Sequence, residues 1–558
     1  MSLRQLGIYH RTRYVRRCAF LLLVAKVPFG IQAFSRTTAM PTTSPREEER
    51  RAAYVRARET RIARGHDPVS QAAYLELLQM YPDDATTASH LAASVCCTPL
   101  SPTKNLNCDD FAQFQRHLQL ANFTTQHVGQ ALKINNRLMY ASSPLYITPA
   151  AAGTLSVQQV ETMTQTPVEC LAALFLLGAT VPFTTLVQTL GKDFCHLALH
   201  TLSLLQPSDV DPSRWMATVQ IFPVQSLTQN MYFITDWHPR VLSQTQIGEN
   251  ESAVMYLGPD SLGLVQHFWK HECSQRDVGQ ILDVCTGCGI QGLYGLQQMN
   301  SNKDAHATLL DINPRALRFV LANAMLNGIE LDKIKLVQAD LQSNQGRQWH
   351  VHTDKEGNVS LTAGNEVPLI DLLDLPFDIL TANPPFLPVP PSLASRHGAF
   401  SDGGGSGEEI LQAIVELSGR VIRVKGTVAI VSEFFLASSN SASKLIERIQ
   451  NWWTAGKNTT NMEGASGFLV TNEFPIDRES YATRRANDQD EYQVWLRHLE
   501  AIEMQYASPG FLFLRKDRHS HDIEHFTAPK SPNGSLWTPS NVDAVEYTAG
   551  LLDRLYKN

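Results

Sequence analysis

The chain has 558 residues, of which 43% are hydrophobic and 18% charged. This is the composition of a globular protein and excludes a wholly disordered one. The formal net charge of −7 disfavours a surface built mainly to bind a phosphate backbone, and the length suggests two or three domains.

The start of the chain differs in charge from the rest. Residues 1–39 contain seven basic side chains and no acidic one, and Arg16 and Arg17 precede a short apolar run at 18–25. Because this run is too short to cross a bilayer, the start is typical of a targeting signal. We predict import into an organelle, a plastid ahead of a mitochondrion, and no stable membrane association. Initiation at Met40 would instead give a cytoplasmic protein.

A mainly helical pattern then extends from residue 66 to 225. Helical periodicity is clear at 72–80, at 168–178 and from 186 to 205, and a strand-like run follows at 215–222. This order is compatible with a winged-helix-like domain. The acidic balance of the chain favours the other interpretation, a helical domain without a nucleic-acid role.

The next informative segment is an apolar run that ends in Asp283 and leads into a glycine-rich turn. Gly287 and Gly289 allow the backbone to turn tightly and to approach a ligand closely, as at the first strand-to-helix crossing of a doubly wound sheet. Together with Gly292 they also fit the dinucleotide-binding fingerprint. The segment alone therefore leaves open whether the ligand is NAD or an adenosyl cofactor.

Two further predicted strands end in an acidic residue. The strand at 307–311 ends in Asp311, and the strand at 334–340 ends in Asp340. A carboxylate at the end of the second strand accepts hydrogen bonds from ribose hydroxyls in either cofactor, and one after the third strand suits an adenine amino group. Either acid can also simply cap the helix that follows it.

The fourth predicted strand, at 377–382, stops at the motif Asn383-Pro384-Pro385-Phe386. Proline has no N–H and a fixed φ, so the two prolines give a stiff turn with free carbonyl groups. The Asn383 side chain adds a carbonyl oxygen, and Phe386 adds a flat apolar face. This group can accept both hydrogens of a planar –NH2 group. Since hydride transfer has no need of such a clamp, the motif favours the adenosyl cofactor over NAD.

The glycine-rich turn, the two acids and the Asn-Pro-Pro-Phe motif resemble a class I S-adenosylmethionine-dependent methyltransferase. The resemblance is to the methyltransferase small domain group, which includes the HemK-like release-factor glutamine methyltransferases. It covers about residues 256–515, and further similar segments are 257–262, 402–409 and 490–497. It implies an α/β fold: a Rossmann-like seven-stranded methyltransferase domain, preceded here by an extra, mainly helical and winged-helix-like domain. Cys285 departs from the family pattern, which usually has glycine there.

We therefore predict four regions. They are a targeting leader with a charged linker at 1–65, a mainly helical domain at 66–225, the methyltransferase domain at 226–520 and a polar, loosely attached tail at 521–558. Within the third region, strands are expected at 427–432, 468–470 and 511–514, and a polar surface insertion at 342–371.

The resemblance also implies roles for individual residues. Those that bind S-adenosyl-L-methionine would be Asp283, Cys285, Gly287, Gly289, Asp311 and Asp340. Those that hold the target nitrogen and carry the catalytic step would be Asn383, Pro384, Pro385 and Phe386. Because Cys285 and Cys288 have no second cysteine pair or histidine cluster to complete a zinc site, we predict no metal.

The predicted activity is N-methylation of a planar amide or amino nitrogen. The first candidate substrate is a glutamine side chain of a protein such as a translation release factor. The alternative is an adenine or guanine amino group of RNA or DNA, with the base flipped out and stacked on Phe386. A third interpretation is a catalytically silent scaffold with a degenerate cofactor site, which would follow from Cys285.

Overall fold

A computed structural model provides the structure of the protein. It describes residues 106–131, 162, 164–207, 213–226, 229–236, 253–272, 279–299, 304–396, 399–439, 441–456, 464–486, 489–518, 522–528, 536–537 and 542–557. The predicted leader and linker at 1–65 and the helix predicted at 72–80 lie outside these residues. All described residues belong to one unit, Arg50–Asn558.

The N-terminal part of the described chain alternates short helices and strands. In chain order they are β1 (Leu106–Asn107), α1 (Cys108–Leu120), α2 (Thr125–Ala131), α3 (Pro167–Phe175), β2 (Val181–Pro182), α4 (Phe183–Leu190), α5 (Lys192–His196), β3 (Leu205–Pro207), β4 (Arg214–Ala217), β5 (Gln220–Gln225) and β6 (Asn230–Thr235). Local sequence fixes where the helices begin. The Asn107 side chain accepts from the Asp109 amide at α1, and a capping box of Thr166 and Glu169 starts α3.

Elements α3 to β4 are compatible with a winged-helix-like domain, which stays a prediction, and the strand-like run predicted at 215–222 is divided between β4 and β5. One helix and the short strand β2 precede two helices, the second of which continues into a π-helical turn at Leu197–Thr201. Strands β3 and β4 then pair, and β4 also pairs with β2, which gives a small antiparallel sheet in the order β2–β4–β3. The boundary of this domain at residue 225 stays a prediction.

From residue 253 onwards the chain forms an α/β structure. Its strands are β7 (Gln280–Val284), β8 (His306–Asp311), β9 (Ile334–Asp340), β10 (Gln345–Thr353), β11 (Asn358–Ala363), β12 (Val367–Pro368), β13 (Phe377–Ala382), β14 (Ile422–Leu436), β15 (Gly464–Asn472), β16 (Ile476–Asp477), β17 (Tyr506–Asp517) and β18 (Ile523–Ala528). Its helices are α6 (Pro259–Leu264, continuing as Val265–Trp269 and Lys270–Glu272), α7 (Ile290–Gln298), α8 (Pro314–Leu326), α9 (Glu409–Val421), α10 (Ser443–Ala455), α11 (Arg478–Arg485), α12 (Gln489–Ala501) and α13 (Val542–Lys557).

Seven of these strands form the centre of one large sheet, in the order β9–β8–β7–β13–β14–β17–β15. Strands β9 to β14 of this series are parallel, whereas β17 is antiparallel to both of its neighbours. Counted along the chain, the order is 3-2-1-4-5-7-6, which is that of a class I methyltransferase sheet, so the predicted fold class is confirmed. The carboxyl ends of β7, β8, β9 and β13 meet at one edge, which brings the residues after them together.

Both edges of this sheet carry additional strands. The predicted polar insertion forms the hairpin β10–β11, and β1 pairs with β11. At the opposite edge β18 pairs in parallel with β15, and α13 buries Leu551 and Leu552. The prediction of a loosely attached tail at 521–558 is therefore wrong for its described residues, because β18 and one face of α13 supply apolar side chains to the core.

Helices cover both faces of the sheet. Helices α7 and α8 pack together with the N-terminal helices on one face, and α9 and α10 pack on the other. Within the described part of the chain, no helix is both long and apolar enough to cross a membrane.

The hairpin β5–β6 is attached to α8 by two buried asparagines. The Asn323 side chain accepts from the Ile234 amide and donates to the Ile234 carbonyl and to the Cys288 carbonyl, at 2.7, 3.0 and 2.8 Å. The Asn327 side chain makes the corresponding pair of hydrogen bonds with the backbone of Tyr232. The two asparagine side chains make the backbone hydrogen bonds with β6 that a neighbouring strand would otherwise make. They therefore fix the position of the hairpin relative to α8 and the large sheet.

Candidate active site

The loop between β7 and α7 leaves bare backbone beside an open space. Cys285, Gly287 and Gly289 all have positive φ, at 55°, 54° and 84°. A Cβ added to Gly287 would meet nothing within 4 Å, whereas one added to Gly289 would lie 3.1 Å from Leu293 and Val320 side chains. Gly289 thus allows close packing, and Gly287 leaves room in the cleft beside the loop.

Cys285 adopts the left-handed conformation that glycine favours at this place in the family pattern. A non-glycine residue pays roughly 1–2 kcal/mol for it, and the turn of the loop is preserved. Burial, followed by the nearby carboxylates of Asp311 and Asp283, raises the pKa of the Cys285 thiol well above its ordinary value. The thiol is therefore neutral and acts as a small apolar group at the cleft.

Asp283 holds the loop together. Its Oδ2 accepts from the Thr286 hydroxyl at 2.6 Å and from the Gly292 amide at 3.1 Å, and its Oδ1 accepts from the Thr381 hydroxyl at 2.9 Å. Burial raises the pKa of Asp283 to about 6 despite these bonds. The carboxylate thus connects β7, the loop, α7 and β13.

Asp311 and Asp340 follow the two neighbouring strands and line the same cleft. Asp311 Oδ2 accepts from the Gly287 amide at 2.8 Å, and Oδ1 accepts from the Asn313 amide at 2.9 Å. Asp340 Oδ1 accepts from the Gln342 amide at 2.9 Å. A carboxylate has about four acceptor positions, so both acids keep capacity for a ligand's hydroxyl or amino groups.

Asn383 lies at the end of β13 with its amide held in one orientation. Its Nδ2 donates to Asp260 Oδ2 at 2.9 Å and to Ser261 Oγ at 3.0 Å. Its Oδ1 is shielded from solvent and has no hydrogen-bond partner among the described residues. A buried acceptor without a donor costs free energy. A ligand that donates a hydrogen bond to Oδ1 would remove this cost.

The rest of the motif packs beside Asn383. Pro384 is buried, Pro385 lines the cleft, and the Phe386 ring lies 5.7 Å from the ring of Trp537. A Cβ on Gly403 would lie 2.8 Å from Phe386 Cα, so the glycine-rich loop within 402–409 packs directly on the motif. His498 bonds to the Gly405 carbonyl at 2.7 Å, which holds this loop in place.

The cleft contains about 950 Å³ of empty space, including its open mouth. Three acids, Asp283, Asp311 and Asp340, lie in its wall together with Asn383. Its other lining side chains are mostly apolar, and none of the described residues in its wall is basic. The wall therefore suits a ligand that is cationic or rich in hydrogen-bond donors.

Sequence reasoning had missed Asp260 as part of this site. The residue is 4% exposed, and burial raises the pKa of its carboxyl group, with a smaller effect in the same direction from Glu433. Its backbone position after Gly258-Pro259 resembled an ordinary helix start. Only its contact with Asn383, 123 positions away in the sequence, reveals its place.

No metal-binding group is evident in this region. The thiols of Cys285 and Cys288 are both free. Among the described residues, no set of three His, Cys, Asp or Glu side chains is arranged to hold a metal ion.

Comparison with known proteins gives structural similarity without a family assignment. No protein-family model matches the chain. No curated protein matches it. A class I S-adenosylmethionine-dependent methyltransferase from Listeria monocytogenes is 13% identical, with 52% of this chain and 70% of that chain covered and a TM-score of 0.28.

Two further solved structures show similar scores. A SAM-dependent methyltransferase from Agrobacterium tumefaciens is 13% identical, with 55% and 74% of the two chains covered and a TM-score of 0.28. An O-methyltransferase from Brevibacillus brevis, in complex with S-adenosyl-L-homocysteine, is 10% identical, with 53% and 78% covered and a TM-score of 0.25. Such low scores do not indicate a shared activity, and the fold is established by the strand order of this chain.

Proposed function

We propose that the protein is an S-adenosyl-L-methionine-dependent N-methyltransferase that acts on a planar amide or amino nitrogen. The observation that carries the proposal is the unpartnered Asn383 Oδ1 in the wall of the same cleft as Gly287 and Asp311. The Asn383 oxygen, which can accept from N–H groups, thus lies in the same cleft as a glycine loop and a carboxylate that suit an adenosyl group.

The residues of the cleft fit the cofactor. The space beside Gly287 allows a ligand to approach the loop backbone, and Asp311 can accept from ribose hydroxyls. Asp340, at the end of β9, lines the same cleft and would accept from an adenine amino group. The acidic and apolar wall matches a ligand that carries sulfonium and ammonium charges.

The bound cofactor would supply a methyl group that is already electrophilic. Asn383 Oδ1 and the Pro384 carbonyl would accept the two N–H groups of the target, while Phe386 packs against its plane. Accepting both hydrogens raises electron density on the nitrogen and stabilises the positive charge that develops during attack. Once methylated, the nitrogen would release one proton to solvent water, so no strong base would be required beforehand. The enzyme's contribution is alignment, with reacting atoms about 3–3.5 Å apart.

For the substrate we favour a glutamine side chain of a protein such as a translation release factor. The Asn-Pro-Pro-Phe motif and the HemK-like sequence resemblance support it, and so does the absence of basic side chains from the described wall of the cleft. A phosphate backbone entering this cleft would meet carboxylates instead of cations.

The alternative substrate, an amino group of an RNA or DNA base, is favoured by a different observation. The order of elements from α3 to β4 is compatible with a winged-helix-like domain, and domains with a recognition helix of this kind bind nucleic acid. The stacking face of Phe386 would serve a flipped base equally well.

Methyl-label transfer tests the proposed activity and separates the two substrates. Wild-type protein and Asn383→Ala are incubated with labelled S-adenosylmethionine and cell extract, and the products are digested with protease or nuclease. We expect protease-sensitive label from the wild type and a rate at least about a hundredfold lower from the variant, since an aligned acceptor of the transition state is lost. Cofactor affinity should change by no more than a few-fold.

The matched control is Asn451→Ala, which truncates an exposed asparagine on α10. It should transfer label at the wild-type rate. Nuclease-sensitive label would establish the base-methylating alternative. Near wild-type transfer by Asn383→Ala would show that the clamp does not hold the target nitrogen.

A further inference from the structure

A second buried side-chain oxygen in the wall of the cleft also lacks a partner. Gln291, in the first turn of α7, is 3% exposed and lines the same cleft as Asn383. Its Nε2 donates to the Ser261 carbonyl at 2.7 Å. Its Oε1 has no hydrogen-bond partner among the described residues.

The start of α6 orients both amides in the same way. Ser261 accepts from Asn383 through its hydroxyl and from Gln291 through its carbonyl. Each amide therefore turns its NH2 group to α6, and turning Gln291 over would place two oxygens against each other. Both amide oxygens remain as unused acceptors.

Of the three acids in the wall of the cleft, Asp283 is largely occupied by donors of the protein itself. It is bonded to Gly292, the neighbour of Gln291, and accepts three hydrogen bonds, from Thr286, Gly292 and Thr381. The primary ammonium group of an amino acid brings three donors and a positive charge. Neutral Gln291 can accept one of these donors without placing a further carboxylate in the wall.

We propose that Gln291 Oε1 binds the ammonium group at the amino-acid end of the adenosyl cofactor. This inference rests on the proposed function, because it assumes that the cleft holds that cofactor. The two unpartnered oxygens then have different roles, since Asn383 Oδ1 accepts from the substrate nitrogen and Gln291 Oε1 accepts from the cofactor.

Binding calorimetry on the full chain tests the assignment without reference to activity. The two ligands are S-adenosylhomocysteine and its deamino analogue, which has hydrogen in place of the amine and keeps the carboxylate. Wild type should bind the amine-bearing ligand about tenfold more tightly, as expected for a hydrogen bond to a charged group. Gln291→Leu should lose most of this preference and bind the deamino analogue within about twofold of wild type.

A second variant guards against loss of folding. Gln291→Met keeps the length of the side chain without an acceptor oxygen, so it should lose the preference for the amine and still bind the deamino analogue as wild type does. Equal weakening of both ligands by Gln291→Leu would show a purely structural role and overturn the assignment, as would an unchanged preference. A wild-type protein that binds neither ligand would overturn the proposed function, and this inference with it.

Discussion

Asp260 is the residue on which the orientation of the candidate substrate clamp depends. Its carboxylate is almost completely buried and accepts from Asn383 Nδ2. Taking a carboxylate out of water costs several kcal/mol unless hydrogen bonds offset it. The buried carboxylate holds the NH2 group of the Asn383 amide, so the amide oxygen is the atom left to contact a ligand.

Exchanging Asp260 for asparagine tests this positioning role. The new side chain can donate to Asn383 Oδ1, which occupies the acceptor or turns the amide over. We expect Asp260→Asn to lower kcat for methyl transfer by about tenfold or more, with the affinity for S-adenosylhomocysteine changed less than about threefold. Steady-state kinetics and calorimetry measure the two quantities. Asp490→Asn, at an exposed position of α12, is the control, and an equal kcat for both variants would contradict the role.

At the scale of elements, the hairpin β5–β6 and the loop between β7 and α7 share one support. Asn323 on α8 bonds to Ile234 of the hairpin and to the Cys288 carbonyl of the loop. A single buried amide therefore connects the hairpin with the wall of the cleft.

Truncating that amide should disturb both elements. Asn323→Ala leaves the Ile234 amide, the Ile234 carbonyl and the Cys288 carbonyl without partners, so we expect a loss of roughly 3 kcal/mol or more in the free energy of unfolding. Denaturant titration measures the loss, and hydrogen exchange should become faster at the Ile234 amide. Affinity for S-adenosylhomocysteine should also fall. Intact cofactor affinity in a destabilised variant would show that the hairpin and the loop are independent.

The strands differ in how well the sequence predicts them. Strands β7, β8, β9 and β13 are mainly apolar runs with a polar residue at or next to the carboxyl end, so their pattern revealed both the strands and the candidate site residues there. Strand β18 has neither a continuous apolar run nor a regular alternation over its six positions, and its role depends on pairing with β15. The contacts of Asp260 and Gln291 likewise arise only when α6 packs against residues far along the chain.

For the whole molecule, α13 closes the structure against α6. His267, in the continuation of α6, is bonded to the Thr548 hydroxyl at 3.0 Å and to the Leu536 carbonyl at 3.2 Å, and its ring lies 4.5 Å from that of Phe511. Burial lowers the pKa of His267 to about 3. The imidazole is thus neutral in the folded protein.

This histidine should make the protein less stable in acid. Below about pH 6.5 the unfolded chain binds a proton at His267 that the folded protein does not bind until about pH 3. Stability is therefore lost as the pH falls through this window, by up to about 1.4 kcal/mol per pH unit. His267→Gln removes the titration. Asp283, whose raised pKa acts in the opposite direction, is present in both proteins.

The measurement is the free energy of unfolding of wild type and His267→Gln at pH 7.5 and pH 5. We expect wild type to lose about 2 kcal/mol more than the variant between these values. Parallel losses in the two proteins would show that His267 is not buried in its neutral form.

The late position of β18 and α13 in the chain has a consequence for biosynthesis. When β17 has emerged from the ribosome, all seven central strands exist, yet the outer edge of β15 still has unpaired backbone groups. An open edge of this kind is a template for pairing with another nascent chain. We therefore expect products of premature termination after β17 to aggregate, although they contain every residue of the candidate site except Trp537.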